Sequence, residues 1–177
     1  MLKNLALATM VIIVSACSTY SVDRYSVSTD NVTALKSLEG KTLKLGKFTG
    51  TNPGLTEIKC RGIAPIKTPD GYSFENFIEN AILDELKTAE MYSSTSTEML
   101  TGHLDSINFS SWSGNWSLAL AVKTTNGSEF SVIENYTYTS SFFGETACNK
   151  TAQALLPAVQ NLIGKVVRSS EFKQLVN

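Results

Sequence analysis

Strict alternation of apolar and small or polar residues between positions 116 and 123 is the strongest constraint on the fold. The segment reads WSLALAVK, the period-two pattern of a strand with one buried face. The pair Asn126-Gly127 follows, and this pair is typical of a tight hairpin turn. Beyond it, apolar residues of a single parity return at Phe130, Val132, Tyr136 and Tyr138. The sequence therefore predicts an antiparallel hairpin.

The segment before this hairpin predicts another strand, over residues 98–109. Leu100 and Leu104 share one parity, whereas Ile107 and Phe109 share the other. A β-bulge near Asp105 would place both pairs on the same face. Alternation over residues 42–49 predicts one further strand, so we expect an antiparallel meander of about four strands.

Two long segments carry the apolar spacing of helices. Ser73 is a good N-cap, and apolar residues recur at helical spacing from Phe74 to Ala89. A second apolar stripe runs from Cys148 to Val167, with Pro157 almost opposite its centre, where a bend faces solvent. We therefore expect an α+β fold in which the meander packs against two long helices.

The N-terminal residues form a leader. Lys3 is followed by ten mostly apolar positions, which span only about 15 Å as a helix, well short of a bilayer core of roughly 30 Å. Such a stretch is typical of a signal peptide. The residues Val14-Ser15-Ala16-Cys17 resemble the lipobox of bacterial lipoprotein precursors.

That resemblance implies cleavage after Ala16 and acylation of Cys17, with palmitate or a similar chain, as a permanent membrane anchor. Ser18, in place of an aspartate, implies transfer to the outer membrane, most often with the protein facing the periplasm. The expected organisation is a signal peptide at 1–16, an acylated cysteine and flexible tether at 17–30, and one periplasmic domain at 31–177. An ordinary secretory leader is the alternative.

Two cysteines remain, Cys60 and Cys148. In an oxidising periplasm they predict one disulfide, with two buried free thiols as the alternative. A metal site is disfavoured, because His103 is the only histidine and no Cys-x-x-Cys or His-x-x-His spacing occurs. We expect no cofactor.

Four residues are candidates for a functional role: His103, Asp105, Glu85 and Trp112. His103 and Asp105 share a strand face, but no nucleophile motif accompanies them, so a solvent-facing pair is favoured over catalysis. Glu85 falls within the apolar stripe of the first helix, where a carboxylate needs a partner. We expect that helix to fray there, so that Glu85 reaches water or a basic residue, with a partner contact as the alternative.

Trp112 lies in the stretch Trp112-Ser113-Gly114-Asn115-Trp116 between two strands. Trp116 has the core parity, whereas Trp112 is predicted at a loop tip, where an aromatic ring can contact a partner or stack on a sugar. Packing of the Trp112 ring against the protein is the favoured interpretation.

The charges exclude a nucleic-acid partner, since 15 Lys and Arg balance 16 Asp and Glu. The helix Phe74 to Ala89 followed by Leu100-Thr101-Gly102-His103-Leu104 resembles the small periplasmic lipoprotein domains of the LpoB, YajG and TolB N-terminal type. This resemblance implies a non-enzymatic lipoprotein that binds an envelope protein as an assembly or accessory factor. A small-ligand or glycan-binding module is the alternative, and an envelope hydrolase is disfavoured.

Overall fold

The computed structural model describes residues 19–38, 40 and 42–176. The leader and the acylation candidate Cys17 lie outside this part of the chain. The described elements, in chain order, are β1 (Tyr20–Ser21), α1 (Thr29–Lys36), β2 (Lys44–Leu45), β3 (Thr49–Gly50), β4 (Glu57–Cys60), β5 (Ala64–Lys67), α2 (Phe74–Thr88), β6 (Met99–Ser110), β7 (Asn115–Thr124), β8 (Glu129–Thr137), α3 (Gly144–Arg168) and α4 (Ser170–Val176). A 3₁₀ turn, Pro69–Gly71, precedes α2.

The larger sheet confirms the α+β class but not the predicted four-stranded antiparallel meander. It has five strands: β6, β7 and β8 form an antiparallel meander, and the short strands β2 and β3 both pair with β6 in parallel. The single strand expected over 42–49 is thus two short ones. Their direction follows from topology, because the long crossover through α2 brings the chain back to the sheet running the same way.

A second sheet of three strands, in the order β1-β5-β4, was not predicted. Strands β4 and β5 lie in a stretch where Gly62, Pro65 and Gly71 indicate loops and only a short extended piece over residues 56–60 was expected. Strand β4 pairs with β5 as an antiparallel hairpin, and β1 pairs with β5 in parallel, with Tyr20 opposite Ile66.

Strand β1 corrects the prediction that residues 17–30 form a flexible tether. Val22 is buried, its N–H donates to the Lys67 carbonyl at 2.8 Å, and α1 begins at Thr29. The folded part therefore includes Tyr20, because pairing with β5 provides hydrogen-bond partners for its backbone. The Ser- and Thr-rich composition of this segment resembles that of a linker, which explains the wrong prediction.

Local sequence signals set the rest of the meander. The register between β6 and β7 shifts between Leu104 and Ser106, which confirms the bulge at Asp105. The β7–β8 turn contains Gly127 at φ 83°, a left-handed backbone conformation that glycine adopts without strain, and this confirms the Asn-Gly hairpin.

Helices α2 and α3 pack on one face of this sheet, whereas α1 and α4, which are described in addition to the two helices expected, pack against α3. Ser73 caps α2 by accepting a hydrogen bond from the Asn76 N–H, as predicted. Helix α3 runs unbroken through Pro157 and packs on β7 and β8. Between the layers, the buried Trp116 donates its indole N–H to the Thr151 carbonyl at 2.8 Å. In the part of the chain described, no helix is both long and apolar enough to cross a membrane.

Candidate interaction surfaces

Four large apolar side chains are exposed together at one end of the molecule. Ile63, Trp112, Phe142 and Phe143 are 54%, 71%, 86% and 74% exposed, respectively. They come from three loops: the β4–β5 turn, the β6–β7 turn and the β8–α3 connection. We call this surface the aromatic end. Exposed apolar side chains grouped in this way are typical of a surface that contacts something else.

Arg61 joins the three loops. Its guanidinium donates to the Ser111 carbonyl at 2.6 Å, to the Phe142 carbonyl at 2.9 Å and to the Ser141 carbonyl at 3.0 Å. The same guanidinium lies 3.7 Å from the centroid of the Trp112 ring. One side chain thus satisfies loop carbonyls and supports the tryptophan from one face through a cation–π contact.

The backbone at Arg61 is itself constrained. Arg61 and Gly62 have φ values of 49° and 67°, and the Ile63 N–H donates to the Cys60 carbonyl at 3.0 Å. Two successive positive φ values are typical of a type I′ hairpin turn. A non-glycine residue rarely adopts this conformation, because it costs free energy. The hydrogen bonds of the Arg61 side chain offset that cost and hold the turn in place.

The disulfide Cys60–Cys148 is present and lies directly behind this turn. It joins the end of β4 to the second turn of α3, and both cysteines are fully buried. The predicted pairing is therefore confirmed. Because Cys60 immediately precedes Arg61, the bridge anchors the aromatic end to the core.

Trp112 does not pack in the way that was favoured from the sequence. The prediction of a loop tip is confirmed, but most of the Trp112 side chain faces solvent, and the Arg61 guanidinium lies over its ring. Sequence reasoning missed Ile63, Phe142, Phe143 and Arg61. The adjacent phenylalanines, which follow a hydroxyl-rich run at 137–141, were the available signal.

Glu85 is fully buried, so the expected fraying of α2 is wrong. The helix continues to Thr88. Oxygen Oε1 accepts hydrogen bonds from the Tyr25 hydroxyl at 2.5 Å, the Ser28 N–H at 2.8 Å and the Asn31 amide at 3.4 Å. Oε2 has no hydrogen-bond partner among the described residues. Tyr25 and Ser28, which make the two shorter of these hydrogen bonds, come from the segment expected to be a tether, and this is why the sequence could not predict them.

Burial raises the pKa of Tyr25, and its hydrogen bond to the Glu85 carboxylate raises it further. The network extends outward, since the Asn31 side chain donates to the Gln160 carbonyl at 2.8 Å and accepts from Arg168 at 3.0 Å. It borders an open polar cavity of about 650 Å³ between α1, α3 and β8. Glu85 therefore joins the N-terminal segment to α2 and does not reach the surface.

His103 and Asp105 lie on the open face of the larger sheet, where both side chains are about half exposed. The His103 Nδ1 is 2.7 Å from the Thr49 hydroxyl, whereas its Nε2 is 3.9 Å from the Asp105 carboxylate. The second distance exceeds hydrogen-bond range, so Asp105 does not orient the ring in this geometry. Among the described residues, no group of three or more His, Cys, Asp or Glu side chains is arranged to hold a metal ion.

The long strand β8 lies at one edge of the larger sheet, where β7 is its only neighbour among the described strands. At one end of the β7–β8 ladder the Thr124 N–H donates to the Ser128 carbonyl, and at the other end the Tyr138 N–H donates to the Gly114 carbonyl. Since hydrogen-bonded pairs alternate in an antiparallel ladder, the even-numbered residues of β8 bond to β7. The N–H and C=O groups of Ser131, Ile133 and Asn135 therefore point away from the sheet.

No family model matches the chain, and no curated protein matches it. Among solved structures, the chain is similar to the crystal structure of protein XCC0632 from Xanthomonas campestris, which is described by the family model DUF330. The TM-score is 0.46 at 10% identity, over 85% of this chain and 95% of that one.

Proposed function

We propose that this protein is a lipid-anchored lipoprotein of the outer membrane whose periplasmic domain binds a protein of the cell envelope, without catalysing a reaction. The observation that carries the binding role is the open edge of β8. This edge strand has nine residues, and its outward backbone groups, apart from the Ile133 carbonyl, are available to a strand from another chain.

The edge carries one element that limits access. The Lys165 ammonium donates to the outward Ile133 carbonyl at 2.6 Å and also pairs with the buried Glu134 carboxylate at 2.7 Å. The outward groups of Ser131 and Asn135 have no partner within the described residues. A lysine at a sheet edge is a common protection against unspecific pairing. Here it leaves room for a partner on either side.

The side chains beside the free edge suit a protein partner. Ser131, Ile133 and Asn135 are exposed, and Ile133 offers an apolar contact among small polar groups. In strand addition, the backbone hydrogen bonds provide affinity and alternate side chains provide specificity.

The anchoring part of the proposal rests on the Val14-Ser15-Ala16-Cys17 motif and on the disulfide. A bridge between Cys60 and Cys148 agrees with folding in an oxidising compartment such as the periplasm. Acylation of Cys17 is tested by palmitate labelling and by mass spectrometry of the purified protein. A chain that keeps an unmodified Cys17 would refute the anchor.

The binding part is tested by photocrosslinking in intact cells. A photoreactive amino acid is placed at Asn135 on the free edge and, as a matched control, at the exposed Asp84 on α2. We expect a discrete adduct with one envelope protein at Asn135 and none at Asp84. Ser131→Pro should abolish that adduct, because proline removes an outward N–H without breaking a bond to β7, whereas Ser131→Ala should keep it. No adduct at the edge, or equal adducts at both sites, would refute binding there.

A further inference from the structure

The aromatic end and the start of the described chain lie on the same side of the molecule. Strand β1 runs parallel to β5, with Tyr20 opposite Ile66 and Ser21 opposite Lys67. Toward its N-terminus, β1 therefore runs beside the start of β5, whose preceding residue is Ile63. Strand β1 also contacts α3, which begins at Gly144 directly after Phe143.

This arrangement leaves very little chain between the domain and Cys17. Cys17 is two positions before Thr19 in the sequence, and an extended chain covers at most about 3.5 Å per residue, so covalent geometry keeps Cys17 within about 7 Å of Thr19. A dozen-residue tether would have let the domain turn freely. With β1 beginning at Tyr20, a lipid on Cys17 places this end of the domain at the membrane.

We propose that the aromatic end rests on the phospholipid bilayer, with Trp112, Phe142, Phe143 and Ile63 in its interfacial region. The inference depends on the acylation of Cys17 put forward above. Beyond the lipid anchor, we infer how the domain is oriented on the membrane and that the aromatic end sets this orientation.

The chemistry of the three loops fits this surface. In residues 61–63, 110–114 and 138–143, Arg61 is the only charged residue, and the others are mainly serine, threonine, glycine and aromatic residues. Aromatic side chains are enriched at membrane interfaces, where an apolar ring meets polar headgroups. The positive Arg61 favours a surface that contains anionic lipids.

The loops also hold these side chains outward. The Ile63 side chain packs against Gly144, where an added Cβ would lie 2.5 Å from its terminal methyl carbon. Gly114, at φ 72°, leaves room for the Tyr138 carbonyl, which would lie 2.2 Å from an added Cβ. The phenylalanine rings meet edge to face, with centroids 6.0 Å apart. The surface is thus formed before any contact with lipid.

The two tryptophans allow a direct test, because Trp116 is fully buried and Trp112 is mostly exposed. The full chain is expressed in a bacterium, purified in detergent and reconstituted into vesicles of phosphatidylethanolamine with a minor fraction of phosphatidylglycerol. Part of the phospholipid carries bromine on the acyl chain near the headgroup. We expect the bromolipid to quench part of the tryptophan emission and the vesicles to protect Trp112 from aqueous iodide.

Two variants make the readout specific. Trp112→Phe leaves Trp116 alone and should remove the bromolipid quenching completely. Replacing Phe142 and Phe143 together by serine keeps Trp112 but weakens insertion, so the quenching should decrease. All three substituted residues are solvent-exposed, and circular dichroism checks that each variant is folded.

Acylation of Cys17 is measured by mass spectrometry on the same sample, which separates the two proposals. If Cys17 is acylated and Trp112 stays open to iodide without bromolipid quenching, the orientation is refuted while the lipid anchor stands. Protection from iodide without bromolipid quenching would mean that another copy of the chain covers the aromatic end, and this also refutes the inference. If Cys17 is not acylated, the anchor fails and the orientation fails with it.

Discussion

The Arg61 guanidinium lies 3.7 Å from the centroid of the Trp112 ring, while its N–H groups donate to carbonyls of two loops distant in sequence. One arginine in a left-handed turn thereby connects the β4–β5 turn to the β6–β7 turn and to the β8–α3 connection.

We expect Arg61→Ala to lower the free energy of unfolding by about 1–3 kcal/mol, since hydrogen bonds from a charged group are lost and loop carbonyls lose their donor. The side chain is partly exposed, so the lower half of this range is expected. Urea denaturation measures the change, and Trp112 fluorescence anisotropy should fall as the loops loosen. Arg61→Lys should restore little, because lysine cannot bond several carbonyls in one plane.

Arg24→Ala is the matched control for this prediction. Arg24 also makes two hydrogen bonds, to the Asp70 carboxylate, but it is largely exposed. Exposed ion pairs contribute little, so stability should hardly change. Equal losses for the two variants would contradict the role assigned to Arg61.

The disulfide should contribute strongly to stability. Cys60 and Cys148 are 88 residues apart, and the chain-entropy model gives on the order of 4 to 5 kcal/mol for closing a loop of this length, as an upper figure. We expect the double substitution to alanine to lower the free energy of unfolding by up to this amount in urea denaturation. Reduction of the wild-type protein should give a similar loss, and no loss in either experiment would contradict the prediction.

Glu85→Gln tests the buried carboxylate. The charge-assisted hydrogen bonds from Tyr25 and the Ser28 N–H weaken, and the new amide nitrogen takes the place of Oε2, which has no hydrogen-bond partner among the described residues. We expect a loss of about 1–2 kcal/mol in the free energy of unfolding. Asp84→Asn, one residue away and exposed, should leave stability unchanged. An unchanged Glu85→Gln variant would show that this network does not stabilise the fold.

Alkaline pH should destabilise the protein through Tyr25. Its pKa in the folded state lies above the ordinary value of about 10. The unfolded chain therefore releases this proton first, and the unfolding free energy falls as pH rises through and beyond about 10. Tyr25→Phe should show a shallower decline than the wild type between about pH 9 and 11. Comparing the two proteins removes the contributions of Tyr20 and Tyr138, whose pKa values burial also raises. Identical slopes would contradict the assignment.

Several elements were predictable because they depend on neighbouring residues. The Ser73 cap, the Asn126-Gly127 turn, the continuation of α3 through Pro157 and the bulge at Asp105 each follow from local chemistry or from which face is apolar. The disulfide was predictable by counting, since only two cysteines remain once Cys17 is assigned to lipid.

The short parallel strands were not predictable. A strand of two residues, such as β1 or β3, has no period to detect, and it forms only because a distant strand offers its backbone. The error over the tether has the same origin. A segment rich in serine and threonine resembles a linker until β5 and Glu85 provide hydrogen-bond partners for it.

The sequence by itself determined the α+β class, the local turns and caps, and the expectation of an acylated Cys17, because each depends on side chains close together in the chain. Tertiary structure alone decided that Glu85 is buried, that β8 has a free edge, and that Ile63, Trp112 and the two phenylalanines share one end of the molecule. Those features depend on contacts between residues tens of positions apart, and such contacts exist only after the chain has folded.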